Sequence, residues 1–348
     1  MKIYLVGGAV RDELLGRGVH DLDYVVVGST IEQMEAEGFL KVGADFPVFL
    51  HPQTKDEYAL ARTERKSGKG YKGFSVDFNS FVTLEEDLLR RDLTINAIAK
   101  ADSGEFFDPF NGRDDLEKRV LRHVSDAFVE DPLRVLRVAR FAAQLAPLGF
   151  TVHQDTQDLM NKLAVSGELA HLTPERVFKE TDKALNAANP EVYFNVLQQC
   201  GALAVLFPEL EALVGVEQVA EHHPEIDSYV HTMMVLQQAV ILSDLPQVRW
   251  AAVMHDLGKG VTPADVLPQH INHEHAGIPL VKAVNERYRV PLRYAVLAEK
   301  VTEHHLRMHR LLDMKPSKVL KLLERLDAFR KPYILEQFIL ACEADARG

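Results

Sequence analysis

Asp21 and Asp23 stand one residue apart at the head of Tyr24-Val25-Val26-Val27, the most strand-like run near the N-terminus. On a strand, residues i and i+2 share a face, so the spacing predicts two adjacent carboxylates with Leu22 turned away. Such groups repel, and burying them costs on the order of several kcal/mol unless a cation sits between them. Mg²⁺ suits that position, because it takes one or two carboxylates together with phosphate oxygens. An Asp-x-Asp that merely caps a turn is the plainer reading. The upstream Gly7-Gly8 weighs against it, since glycines at a strand-to-helix turn let the backbone N–H of Gly8 approach a phosphate, and Arg11 follows to neutralise it. Strand, Gly-Gly, Arg, strand and Asp-x-Asp together read as a nucleotide site.

A second group of reactive side chains lies far downstream. His231, His255-Asp256 in RWAAVMHDLGKG, His273 in INHEHAG and His304-His305 fall on separate segments. Only Cys200 and Cys342 are present, without a CxxC, so thiolate zinc sites and disulfide frameworks are excluded. Imidazole and carboxylate ligands of this kind suit a divalent transition metal that supports hydrolysis.

These residues need elements to hold them. At 348 residues the chain is expected to form two or three domains. Up to about residue 110 short β-branched runs (Tyr4-Val6, Tyr24-Val27, Phe46-Leu50, Tyr58-Ala61) alternate with glycine turns and one helical stretch, Ile31-Gly38, an α+β or α/β pattern. Beyond Asp114 helical periodicity dominates, as in Pro132-Leu145, Pro174-Asn186 and Glu191-Gln199, with a break near Pro224 before the histidine-bearing unit. A net charge of -11 argues against a protein coated for indiscriminate nucleic-acid binding. A local basic path remains in Ala61-Phe74, where Arg62, Arg65, Lys66, Lys69 and Lys72 face the single acid Glu64, although a solvated loop has the same composition. No apolar run approaches a membrane span and no signal peptide opens the chain, so a cytoplasmic protein without membrane contact is expected.

GGAVRD (Gly7-Asp12) followed by DLDYVVVG (Asp21-Gly28) resembles the signature of class II tRNA nucleotidyltransferases, the CCA-adding enzymes of the polymerase-β-like superfamily. LARTERKSGKGYKGF, RRDLTINAIA, DPFNGRDDLEKRVLR and EDPLRVLRVARFAA follow in the family's order, and the later His-Asp segment narrows the resemblance to bacterial multifunctional CCA proteins with an HD domain. It spans essentially the whole chain. It implies an α+β multidomain fold: a nucleotidyltransferase head with a mixed sheet (1–140), a helical neck and body (141–226), a helical HD phosphohydrolase domain (227–330) and the start of a shortened helical tail (331–348).

The resemblance also implies roles. Asp21 and Asp23 would hold Mg²⁺ and act in catalysis, Arg91 would meet the incoming nucleotide, and Arg137 and Arg140 would contact it while Asp131 and Arg134 face the base. A carboxylate can accept from the exocyclic amine of cytosine or adenine and a guanidinium can donate to ring acceptors, which favours CTP and ATP. Asp92 and Asn96, spaced i, i+4, are expected to fix the local backbone. In the HD segment the first ligands would be His231, His255 and Asp256, for a divalent transition metal such as Ni²⁺. Where related chains carry His-Asp, here Leu306 follows His305, and His305 is taken as the closing ligand. His273 either helps hold a second metal or lines the pocket. The implied activity is template-independent addition of CCA to tRNA from CTP and ATP, with metal-dependent phosphatase or phosphodiesterase activity, in a monomer or homodimer. A bacterial poly(A) polymerase, and an HD phosphohydrolase whose head only binds RNA, are the rivals. A third catalytic carboxylate is not identifiable, with Glu57 and Glu64 as candidates.

Overall fold

The computed structural model describes residues 1–19, 21–42, 48–66, 74–77, 80–219, 221 and 225–348. Phe46, Lys69, Lys72 and Pro224 lie outside them. The chain divides into two compact units, Met1–Val138 with Leu148–His171, and Ala139–Pro147 with Leu172–Gly348.

The first unit is built on a seven-stranded mixed sheet of order β3-β4-β5-β2-β1-β8-β9. Its strands are β1 (Lys2–Val6), β2 (Asp23–Val27), β3 (Leu40–Val42), β4 (Val48–Leu50), β5 (Glu57–Leu60), β8 (Ala99–Ala101) and β9 (Phe106–Phe107), while β6 (Thr63–Lys66) and β7 (Phe74–Asp77) form a separate hairpin. Alternation along β1 and β2 separates two apolar layers. Tyr4, Val6 and Val25 pack with Leu88 and Ala99 on one face, and Val26 packs with Met34, Phe39, Phe49 and Leu60 on the other. Met34 and Phe49 are fully buried, and each such side chain contributes roughly 1.5–3 kcal/mol.

Short helices close the faces. Met34 comes from α2 (Ile31–Ala36), started by a Thr30/Gln33 capping box, and Leu88 from α3 (Leu84–Leu89), started by a Thr83/Glu86 capping box. Between β1 and β2 runs α1 (Gly8–Leu14). Beyond α4 (Gly112–Lys118) the strands among the described residues are one two-residue pair, Val120–Leu121 with Thr151–Val152, and helices dominate. The boundary between the units falls within α5 (Leu133–Leu145), and α6 (Gln154–Val165) belongs to the first.

The second unit is helical: α7 (Pro174–Leu185), α8 (Pro190–Gln199), α9 (Ala202–Leu206), α10 (Pro208–Glu211), α11 (Ser228–Leu242), α12 (Pro246–Met254), α13 (His273–Arg287), α14 (Leu292–His309), α15 (Pro316–Arg325) and α16 (Pro332–Arg347). Proline opens six of these, α7, α8, α10, α12, α15 and α16, where its missing N–H has no intrahelical partner to lose. Asp227 caps α11 by accepting from the N–H groups of Tyr229 and Val230. Buried Arg249 on α12 donates to the carbonyls of Leu185 and Ala187, which binds the body helices to the histidine-bearing ones within this unit. The last helix, α16, packs against α11, α12 and α14. Its Phe338, Ala341, Cys342 and Ala344 are buried there.

Candidate active sites

In the head, β1 and β2 run antiparallel with Val6 opposite Asp23, so the turn at Gly7-Gly8 that leaves β1 adjoins the first residue of β2. The strand starts at Asp23, and Asp21 lies just before it in irregular chain, a difference from the expected pair on one strand. Both side chains reach solvent. The ionised form of Asp23 is still disfavoured, first by desolvation and further by Asp21, with Arg91 opposing; its carboxyl is raised above the usual range. Two hard oxygen donors that penalise each other in this way fit a divalent cation. Glu57 pairs with Asp23 in the parallel β2–β5 register and therefore shares its face of the sheet. The side chain of Glu64 lies outside the described residues.

Arg11, in α1, is buried and doubly bonded to Asp12, Nε to Oδ1 at 2.9 Å and Nη2 to Oδ2 at 3.0 Å, with Nη1 donating to Asn96 Oδ1 at 2.9 Å. Arg90 caps the C-terminal end of α3, and Arg91 follows it. Arg91 Nη2 lies 3.3 Å from Asp87 Oδ2. Asp92 accepts from Asn96 Nδ2 at 3.1 Å and, through Oδ2, from Arg137 Nε at 2.7 Å. The pair Asp92 and Asn96 thus frames a 3-10 turn, Thr94–Asn96, and holds Arg137 as well as the backbone. Asp131 Oδ1 accepts from the N–H of Leu133. Arg134 is buried and donates to the carbonyls of Ala127 at 2.6 Å and Arg90 at 2.5 Å. Arg140 belongs to the second unit, where its Nε meets buried Glu180 at 2.5 Å and its Nη1 meets Gln144 at 2.8 Å.

The histidines converge in the second unit. Ligand atoms of His231, His255 and Asp345 lie within 4.8 Å of one another, as do those of Asp256, His273 and His305. Asp345 Oδ1 is 3.2 Å from His231 Nε2 and 3.3 Å from His255 Nε2. Asp256 Oδ2 is 3.1 Å from His255 Nε2, and its Oδ1 is 3.1 Å from His273 Nε2 and 3.6 Å from His305 Nε2. His305 therefore groups with Asp256 and His273, and His231 and His255 meet two carboxylates, Asp345 and Asp256, whose Oδ2 also lies 3.9 Å from His231 Nε2.

The rings are aimed by the backbone. Nδ1 of His255, His273 and His305 faces the carbonyls of Ala252, His270 and Val301 at 2.7, 2.7 and 3.0 Å. A carbonyl only accepts, so each Nδ1 carries the proton and each Nε2 turns inward. Gly258 lets the His255-Asp256 segment reach α13, since a Cβ there would stand 1.9 Å from the His273 carbonyl oxygen. His255 Nε2 and Asp256 Oδ1 are buried without a hydrogen bond of proper geometry despite their close neighbours, as donors converging on a cation would be. Burial drives His305 down to about 4. At His255 burial acts likewise, but the carboxylates of Asp256 and Asp345 outweigh it and push the imidazole up to about 10. A cavity of about 670 Å³ opens onto His231, Asp256, His273, His305, Leu306 and Asp345.

Residues 3–122 match the family described as Poly A polymerase head domain, residues 149–213 the probable RNA and SrmB-binding site of polymerase A, and residues 228–331 the HD domain. A multifunctional CCA protein of Pseudomonas fluorescens is 58% identical over 348 residues, covering 100% of this chain and 85% of that protein. The chain belongs to the multifunctional CCA protein family. Another member, from Hahella chejuensis, is likewise 58% identical over 100% of this chain and 82% of its own. The fold is that of a Bacillus stearothermophilus CCA-adding enzyme solved in complex with CTP, at TM-score 0.56 and 26% identity over 94% of this chain and 78% of that one.

Membership makes the head a nucleotidyltransferase with a mixed sheet, followed by a helical body and an HD domain, and both catalytic units are of divalent-metal-dependent kinds. Among the described residues no helix is long and apolar enough to cross a membrane. Asp345 lies beyond the matched HD segment, and sequence reasoning missed it. The signal was its place on α16, four residues after Ala341 and seven after Phe338, both buried, an acid on an apolar stripe.

Proposed function

We propose that the protein adds and repairs the 3′-terminal CCA of tRNA from CTP and ATP without a template, and hydrolyses phosphate esters at its HD domain. The observation that carries the first activity is the register of Val6 with Asp23, which sets the Gly7-Gly8 turn beside the carboxylates. The tRNA 3′-hydroxyl attacks the α-phosphate, the new bond forms to the 3′ oxygen, the α–β bridging bond breaks and pyrophosphate leaves. Asp21 and Asp23 would hold Mg²⁺, which when bound lowers the pKa of the hydroxyl and offsets charge on the phosphate.

The backbone N–H of Gly8 and the guanidinium of Arg91 receive the triphosphate, with Arg11 adding positive charge behind them. Arg137, held by Asp92, supports the nucleotide irrespective of base, and Arg140 acts from within its pair with Glu180. Asp131 accepts from the exocyclic amine of cytosine or adenine, and Arg134, anchored on two carbonyls, donates to the ring. Uracil and guanine present a carbonyl at the amine position and are rejected.

For the second activity, His231, His255, Asp256 and Asp345 would hold a divalent transition metal such as Ni²⁺, with His305 and His273 beside it. This donor set is imidazole and carboxylate, as such metals prefer. Action on tRNA fits a cytoplasmic protein, and it would act as a monomer or homodimer. Incubation with tRNA lacking its 3′ end and labelled CTP and ATP tests the proposal.

A further inference from the structure

Asp87, fully buried in α3, gathers groups from two segments of the head. Its Oδ1 accepts from Arg90 Nε at 3.3 Å, from Arg90 Nη2 at 3.2 Å and from the backbone N–H of Arg62 at 3.3 Å. Its Oδ2 accepts from Arg91 Nη2 at 3.3 Å. Burial favours the neutral acid, but Arg90 and Arg91 outweigh it and hold the carboxyl below its usual range. Asp87 is therefore an anion at neutral pH.

The Arg91 guanidinium is bounded on its other sides. Nη1 donates to the carbonyl of Asn96 at 3.3 Å. Gly7, at φ +72°, leaves room for it, because a Cβ there would stand 3.1 Å from Nη1. Nε of Arg91 is buried with no hydrogen-bond partner among the described residues, a donor costly to leave unused. Next to it, the Arg90 carbonyl accepts from Arg134 Nη2 at 2.5 Å. One carboxylate thus sits behind two consecutive arginines, one aimed toward the Asp23 region and the other supporting Arg134 through its backbone.

We infer that Asp87 is a positioning residue for the incoming nucleotide: it fixes the direction in which Arg91 grips the triphosphate. This rests on the reading of Arg91 as a triphosphate ligand. A fork of donors recognises phosphate only in a set plane, so losing the carboxylate behind it weakens nucleotide binding more than the chemical step.

The experiment measures KM and kcat for CTP and ATP in Asp87→Asn, Asp87→Glu, Arg91→Ala and the double variant Asp87→Asn with Arg91→Ala, with thermal melts as the folding control. Asp87→Glu keeps the charge and moves the oxygens by one methylene, and the melt reports whether the buried site accommodates it. Both single Asp87 variants are expected to raise KM for both nucleotides about tenfold or more with kcat within about threefold. In the Arg91→Ala background, Asp87→Asn is expected to change KM less than about twofold. An unchanged KM in folded Asp87→Glu, a loss confined to kcat, or multiplicative effects in the double variant would each overturn the inference. An unchanged KM in Arg91→Ala would overturn the reading of Arg91 itself, and the inference with it.

Discussion

Nε2 of His231 lies 3.2 Å from Oδ1 of Asp345, across 114 residues of sequence. The contact makes α16 part of the HD site. Replacing Asp345 by Ala should remove the carboxylate that lies between His231 and His255 and weaken Co²⁺ or Ni²⁺ binding at least tenfold, about 1.4 kcal/mol, by calorimetry. Hydrolysis of small phosphate esters should fall in parallel, while CTP and ATP addition stays within about threefold. Unaltered metal affinity in the folded variant would remove Asp345 from the site.

Asp21→Ala and Asp23→Ala should each lower nucleotide addition by more than about a hundredfold, some 2.7 kcal/mol of barrier, with thermal stability and ester hydrolysis retained. Relief of the desolvation that raises the Asp23 carboxyl, and of its repulsion with Asp21, offsets the loss of its attraction to Arg91 and leaves stability about unchanged. Addition surviving above a hundredth of the parent rate would sink the two-carboxylate site.

Arg134→Ala should relax discrimination against UTP and GTP more than it slows correct addition. Arg137→Ala should instead weaken all nucleotides alike, because Arg137 is paired with Asp92. Competition assays with the four nucleotides separate the two, and equal losses across bases from both variants would refute base reading by Arg134.

Asp92 is buried, which alone would raise its carboxyl, but Arg137 and Asn96 hold it well below the usual carboxylate range. A depressed folded-state value contributes stability that is complete above the unfolded value of about 3.9 and is lost as pH falls through the folded value. Urea unfolding between about pH 5 and about pH 2 should therefore fall less steeply for Asp92→Asn than for the parent. Parallel slopes would show that this carboxylate does not carry the acid sensitivity.

Much of the head was legible because its chemistry is local. Gly7-Gly8, Arg11 and the two aspartates lie within 25 residues of one another, and the apolar, β-branched run Tyr24-Val27 announces the strand that carries Asp23. The i, i+2 spacing placed Asp21 on that strand, whereas the ladder begins at Asp23, since nothing in residue types marks where hydrogen bonding to β1 starts. Glu57 became a neighbour of Asp23 only through a parallel register that a sequence does not display. The Arg134, Arg137 and Arg140 stripe was visible as a spacing, but its counter-charges were not: Asp92 and Glu180 lie on other elements, and pairing across elements depends on packing. Asp87 and Asp345 were missed for one reason. Each is an acid on the inward side of a helix with other acids close by in sequence, Glu85 and Glu86 beside Asp87 and Glu343 near Asp345, so it reads as part of a solvated face until the helix is placed.

The most direct measurement of the central claim is the sequence added to a tRNA that lacks its 3′ end, incubated with Mg²⁺ and labelled CTP and ATP. The account predicts that cytidine, cytidine and adenosine are added in that order and that growth then stops, with Asp23→Ala adding nothing. A run of adenosines, as a poly(A) polymerase would make, or no addition by the folded parent protein, would contradict it.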